Sequence, residues 1–258
     1  MKQLKAIILV IFLICCVTAT FAGLKLYGFY RTYQDGREEY DRLTDYTKKV
    51  KPELDTSNKK GKKPDNCPIR VDFESLKKIN PDIVGWIYIP NSGINYPIVK
   101  GKDNSEYLHR TFYRKNSYVG AIFLDTFCRK DFSSFNSIIY GHNLKNGEMF
   151  GHLKKMYDVN YNQKADYRKN PKIWVITPDR AQEYKIFAFR EINTVKDKDV
   201  YTVEFPNLEK LKAYFERQVN MSQKKTWIRP SVNDRILTLS TCTSQTHDGR
   251  FIVQAVMQ

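Results

Sequence analysis

The chain has 258 residues, with 43 Lys+Arg against 28 Asp+Glu, a formal net charge of +15 and five cysteines. A hydrophobic share of 41% and a charged share of 28% exclude wholesale disorder, a collagen-like repeat and a polytopic membrane protein. The cysteines are too few, and odd in number, for a disulfide scaffold. The excess of positive charge points to an anionic partner such as phospholipid, a cell-wall polymer or nucleic acid, and is silent about fold.

Ala6 to Gly23 is a run of 18 residues without a charge, preceded by Lys2 and Lys5 and followed by Lys25. With Leu24 and Leu26 added, a helix of this length crosses a hydrocarbon core of about 30 Å. A retained signal anchor over 6–26, with residues 1–5 as a short cytoplasmic end, is favoured over a cleaved signal peptide. Thr20-Phe21-Ala22 is a poor cleavage site, and Leu13-Ile14-Cys15 lacks the small residues expected before a lipidated cysteine. Residues 27–68 read as a stalk. Tyr33, Tyr40, Leu43, Tyr46 and Val50 recur at helical spacing before a polar linker, 55–64, that has no means of burying a core.

From Ile69 to the end the pattern becomes short apolar runs between turn residues. Phe73, Leu76 and Ile79 predict a short helix closed by Asn80-Pro81. Strands are expected at 85–89, 96–99, 121–124, 137–140, 173–177, 184–189, 236–239 and 251–256. Helices are expected from Met149 to Tyr157, and from Asn207 to Val219 with Leu208, Leu211, Phe215 and Val219 on one face. Eight short strands with few helices suggest a β-barrel or sandwich.

Three residues have the chemistry of nucleophilic catalysis. Cys242 ends an apolar run, Arg250 opens the next, and His142 directly follows another. A thiolate, a proton carrier and a fixed cation that stabilises an oxyanion are what acyl transfer through a thioester requires. At about 8.5 for a thiol and about 6.5 for an imidazole, the neutral pair dominates at pH 7. Taken alone, such a trio is a weak signal, because isolated Cys and His residues are mostly structural.

The surroundings of the trio are more specific. Thr238-Leu239-Ser240-Thr241-Cys242 resembles the T-L-x-T-C signature of the sortases, the membrane-anchored cysteine transpeptidases of Gram-positive bacteria. Class B in particular is similar at 79–87, 95–99, Asp103-Asn104 with Tyr107-Leu108, 120–125, and Tyr140-Gly141-His142-Asn143 followed by Met149-Phe150. The resemblance covers about residues 70–258 in order. It implies a mainly β fold, an eight-stranded sortase-type barrel with N-terminal helices and a helical insertion between late strands, preceded by one transmembrane helix. Residues 69–258 would be the catalytic domain.

The resemblance further implies a thiol peptidase and transpeptidase reaction. Cys242 would be the nucleophile, His142 the general acid and base, and Arg250 the stabiliser of oxyanion and substrate. Ser240, Asn104 and Leu108 would contact substrate. The partners implied are secreted proteins bearing a C-terminal sorting motif, an amine of peptidoglycan, and the membrane itself. No cofactor, metal or nucleic acid is expected. Other readings are a pilus-type sortase that joins pilin subunits, and a non-enzymatic, membrane-tethered basic module. Asp248 is expected in a turn with Gly249, His247 as a decoy beside Cys242, and His109 and His152 at the surface or in packing. Cys67 and Cys128 are expected as thiols, and Trp86, Trp174 and Trp227 as core or groove aromatics.

Overall fold

The apolar runs close on themselves. The computed structural model describes residues 2–50, 66–157, 172–242 and 248–258, Cys242 by its backbone. Eight strands form a closed barrel: β3 (Ile83–Ile89), β4 (Ile94–Val99), β5 (Ile122–Leu124), β6 (Asn136–Tyr140), β7 (Lys172–Ile176), β8 (Ala181–Asn193), β9 (Ile236–Cys242) and β10 (Gly249–Met257). Around the barrel the order is β10-β8-β7-β3-β4-β5-β6-β9, with β4–β5 and β6–β9 parallel and the other neighbours antiparallel. All eight expected strands are present, most of them a few residues longer. The mainly β barrel anticipated from the family signatures is the observed fold.

Alternation along each strand divides the barrel wall into two faces. Leu237, Leu239, Phe251, Val253 and Ala255 join the main core, together with Trp86, Ile98 and Ile139. The intervening residues of the same strands face outward and are covered separately. Ile236 and Val256 pack beneath helix α3 with Leu211, Tyr214 and Phe215. Ile252 packs with Ile192 and Val200. This second face, with its own cover, is where the cleft described below forms.

Helix α2 (Phe73–Ile79) starts at Asp72, whose carboxylate accepts the Ser75 N–H at 3.0 Å, and ends at Asn80. Helix α3 (Leu208–Asn220) lies between β8 and β9 and is capped by Asn207, which accepts from the Lys210 N–H at 2.9 Å. Leu208 points to solvent at 61% exposure, and Tyr214 takes the buried position instead.

Three expectations are corrected. The anchor and stalk helices are one, α1 (Lys2–Leu43), 42 residues long and so about 63 Å; no proline interrupts it. Its apolar first half is exposed, whereas Tyr40 and Leu43 are buried in the main core. The helix stops before Tyr46 and Val50: a 3-10 turn (Thr44–Tyr46) leads into β1 (Thr47–Lys49), which pairs with β2 (Ile69–Val71). The linker at 55–64 lies outside the described residues.

The helix expected from Met149 reduces to one 3-10 turn, Lys154–Tyr157. Met149, Phe150, Leu153 and Met156 have helical spacing, but what buries them is a folded-back loop. Met149 has a positive φ of 53° and bridges Asn143, and the Phe150 N–H donates to the His142 carbonyl at 2.9 Å. Third, Trp86 and Trp174 are buried, but Trp227 is 92% exposed and belongs to neither core nor groove.

Candidate active site

The parallel pairing of β6 with β9 sets Tyr140 beside Ser240, and His142 follows two residues beyond. The antiparallel return of β10 pairs Arg250 directly with Cys242. Directly paired residues of adjacent strands share a face, so the positions of Ser240, Cys242 and Arg250 fall on the outer wall. Residues 100 apart in sequence thus meet at one rim. Of the six expected site residues, Asn104, Leu108, His142, Ser240 and Arg250 line one cleft of about 200 Å³, together with Phe123, Tyr140, Gly141 and Thr241. Cys242 ends the strand that forms its wall.

His142 is half-buried and oriented. Its Nε2–H donates to the Leu108 carbonyl at 2.6 Å; a carbonyl can only accept, which fixes the neutral tautomer and leaves Nδ1 for proton exchange. Tyr118 stacks on the imidazole at 5.7 Å and 19°, and His109 lies 6.2 Å away. Burial lowers the His142 pKa from its ordinary value. The bond to the Leu108 carbonyl opposes this, and the neighbouring His109 reinforces it.

The floor of the cleft is a fixed polar network. Asp125, 5% exposed, accepts from the Asn104 amide at 2.8 Å and the Tyr140 hydroxyl at 2.9 Å on one oxygen, and from the Phe127 N–H at 2.8 Å on the other. The Asn104 carbonyl oxygen accepts the Thr126 N–H at 2.9 Å. Asn104 lines the cleft, and its bond to Asp125 uses only one of its two amide hydrogens. Lys100 ties down the turn behind this network through the carbonyls of Asp125, Thr126 and Cys128 at 2.9, 2.8 and 2.6 Å. Burial and the Asp125 carboxylate hold the Tyr140 hydroxyl far above the ordinary tyrosine range, in keeping with its role as a donor to Asp125.

Ser240 is buried at 1% exposure, and its hydroxyl is 2.9 Å from that of Tyr201. Tyr201 ends the 3-10 turn Lys198–Tyr201 and lies 6.0 Å from the Tyr140 ring. A buried ion pair steadies this segment: Arg190, 1% exposed, reaches Asp197 at 2.9 Å, and Arg217 from α3 reaches the same carboxylate at 3.1 Å. The Arg250 Nη1 donates to the Gly249 carbonyl at 2.8 Å, and the residue lines the cleft.

Asp125, Tyr140, Tyr201 and Tyr118 were not singled out from sequence as site residues. Asp125 and Tyr140 lie inside the segments that carry the family resemblance; Tyr118 and Tyr201 have no local signal. Of the alternatives, Asp248 sits in the turn before β10, its carbonyl accepting the Thr194 N–H at 2.9 Å. His109 is exposed but faces His142. His247 lies outside the described residues. Cys67 and Cys128 are buried thiols, and burial pushes the Cys128 thiol up to about 11. Among the described residues no group of three or more His, Cys, Asp or Glu is arranged to hold a metal ion.

The parallel β6–β9 pair thus brings the positions of His142 and Cys242 to one rim of the barrel, with Arg250 paired across from Cys242. The Sortase domain model matches residues 87–258, and the chain belongs to the sortase family. Its similarity is to class B members. Sortase B of Listeria monocytogenes is 34% identical over 193 residues, covering 73% of this chain and 75% of that protein. The structure of Clostridium perfringens sortase B superposes with a TM-score of 0.66 at 31% identity, covering 72% of this chain and 100% of that one. A Staphylococcus aureus sortase B–substrate complex gives a TM-score of 0.69 at 26% identity, covering 87% of this chain and 97% of that one.

Proposed function

We propose that this sortase cleaves a C-terminal sorting motif of secreted proteins and transfers them to a peptidoglycan amine. The reading rests on one observation above the others: the Cys242–Arg250 register pair beside a histidine whose free nitrogen is fixed by its bond to the Leu108 carbonyl. With its pKa lowered by burial, His142 rests neutral at pH 7. It takes the Cys242 proton on Nδ1 as sulfur attacks the scissile carbonyl carbon. Arg250 donates to the developing oxyanion, where a planar, permanent cation is more effective than a flexible ammonium. The C–N bond breaks, His142 returns its proton to the departing amine, and a thioester remains on Cys242. The wall amine then loses a proton to His142 while attacking the thioester carbon, and collapse expels the Cys242 thiolate, which recovers that proton.

Asn104 and Leu108 on one side, and Ser240 with Tyr201 on the other, hold the motif. The apolar first half of α1, exposed along its whole length, serves as a single membrane anchor. Residues 27–68 connect it to the catalytic domain, 69–258, outside the cell. The test is the full chain in detergent micelles with sorting-motif peptides. Wild type accumulates a thioester detectable by intact mass; Cys242→Ala yields neither thioester nor cleavage while melting normally. Undiminished cleavage by Cys242→Ala would end the proposal.

A further inference from the structure

The end of α1 does more than connect. Three of its residues meet three consecutive residues of the loop before β5. The Tyr33 ring stands edge-on to Tyr118 at 6.5 Å and 81°. Gly36 lies against Val119 so closely that a Cβ there would fall 2.7 Å from the valine Cγ2. The buried Tyr40 hydroxyl donates to the Gly120 carbonyl at 2.7 Å and accepts the Phe112 N–H at 3.2 Å.

The other side of this loop is the bed of His142. Tyr118 stacks on the imidazole. Gly120, at a φ of +64°, sits where a Cβ would fall 2.8 Å from His142 Cδ2 and 2.7 Å from the Leu108 carbonyl oxygen, the same oxygen that accepts the His142 Nε2–H. The chain after His142 is tied to the helix as well. Arg37 pairs with the largely buried Glu148 at 2.8 Å, next to the Met149-Phe150 turn that folds back onto the His142 carbonyl.

We propose that Tyr33, Tyr40 and Tyr118 are positioning residues of the transfer reaction, through which the helix carrying the apolar segment clamps the 118–120 loop and fixes the plane and tautomer of His142. The proposal rests on His142 being the proton carrier of the reaction above. No described residue of α1 lines the cleft, so the helix acts on the rate of proton transfer and leaves peptide binding alone. A displacement of about 1 Å at a reacting group can cost on the order of a hundredfold in rate, and the 118–120 loop is one residue thick between helix and imidazole.

The experiment uses the full chain in detergent micelles, with Tyr40→Phe, Tyr33→Leu, Tyr118→Leu and the Tyr33→Leu/Tyr118→Leu double variant. Thioester formation is measured as kcat and KM across pH, alongside NMR titration of the His142 ring. Among the described residues, the titratable and charged groups at that ring are His109, Tyr118 and, lining the same cleft, Arg250; the proposed reaction adds the Cys242 thiol. Tyr118→Leu and Tyr40→Phe are expected to lower kcat about tenfold, with KM within about twofold. Loss of the stacked ring exposes the imidazole, and the His142 titration moves up toward its ordinary value. The double variant is no slower than Tyr118→Leu alone, since both act through one ring, and Tyr118→Phe restores the rate lost in Tyr118→Leu. Wild-type kcat and an unmoved His142 titration in Tyr118→Leu and Tyr40→Phe, with His142→Ala inactive, would overturn the positioning role and leave the proposed reaction standing. An active His142→Ala overturns both.

Discussion

Asp125→Asn tests whether the cleft floor is a built network or a set of incidental contacts. The substitution keeps shape and removes the charge from a side chain that accepts three hydrogen bonds at 2.8, 2.9 and 2.8 Å while 5% exposed. Bonds to a charged acceptor contribute about 1.5–3 kcal/mol against about 1 for neutral pairs. In either orientation the new amide sets its own N–H groups against a donor: against Asn104 if it replaces the first oxygen, against the Phe127 N–H if it replaces the second. Weaker bonds and one orphaned donor together cost about 3 kcal/mol. For a domain of this size that is a fall in Tm of about 6–12 °C. The functional effect is specific. With its second tether lost, the Asn104 amide rotates away from the peptide. KM for a sorting-motif peptide should rise severalfold while kcat changes less, because the Asp125 carboxylate bonds to Asn104, Tyr140 and the Phe127 N–H rather than to the proposed proton carrier. Thermal melting and a KM against kcat split on the same preparation decide it. An unchanged Tm with an unchanged KM would mean that Asn104 holds its orientation without Asp125.

Gly120→Ala introduces a side chain at a φ of +64° and a Cβ 2.7 Å from the Leu108 carbonyl oxygen. The left-handed conformation alone costs about 1–2 kcal/mol, and relief of the contact displaces His142, so kcat and Tm should fall together; normal turnover would show the loop yields without moving the ring. Arg250→Lys should lose about a hundredfold or more in kcat/KM in peptide cleavage, as for removal of an oxyanion donor; near-normal turnover would remove that role. For pH, the His142 pKa is depressed in the folded state, so below about 6.5 the unfolded chain binds the extra proton first. Stability is fully present above that pH and is lost as pH falls through the folded pKa. Urea melts of His142→Asn should lose this part of the acid slope; an unchanged slope would assign it elsewhere.

The strands were legible because alternation of apolar and polar residues is a local signal: Leu237, Leu239, Phe251 and Val253 mark their core face whatever the partner strand. The cleft was legible at Cys242, His142 and Arg250 because motif context surrounds each. Closure of the barrel by β8 against β10, which sets Arg250 beside Ile192, is a long-range pairing with no local mark. Tyr201 meets Ser240 for the same reason: it does so from a segment that the ion pair of Arg190 with Asp197 holds in place. Helical spacing misled at 149–156, where apolar residues three and four apart are buried by neighbours rather than by a helix. It also misled at 33–50, where Tyr40 and Leu43 belong to α1 but Tyr46 and Val50 follow after it has ended.

Continuity of α1 changes what the segment between anchor and barrel does. A flexible stalk would let the cleft face any direction, whereas an uninterrupted helix sets both its height and its bearing relative to the proposed membrane anchor. From Leu26 to Tyr40 the rise is about 21 Å, and each residue turns the helix by about 100°. Tyr27, Phe29 and Tyr30 are exposed at 59%, 59% and 57%, so helix-forming residues inserted among them disturb no contact. Two added residues rotate the domain by about 200° and raise it about 3 Å; seven raise it about 10 Å and restore its bearing to within about 20°. Both variants should turn over a soluble peptide like wild type. In proteoliposomes with a membrane-embedded sorting substrate, the two-residue variant should lose transfer and the seven-residue variant should keep most of it. Equal transfer by both would show that the connection bends freely between anchor and barrel, and that the helix fixes the cleft only on the side of His142.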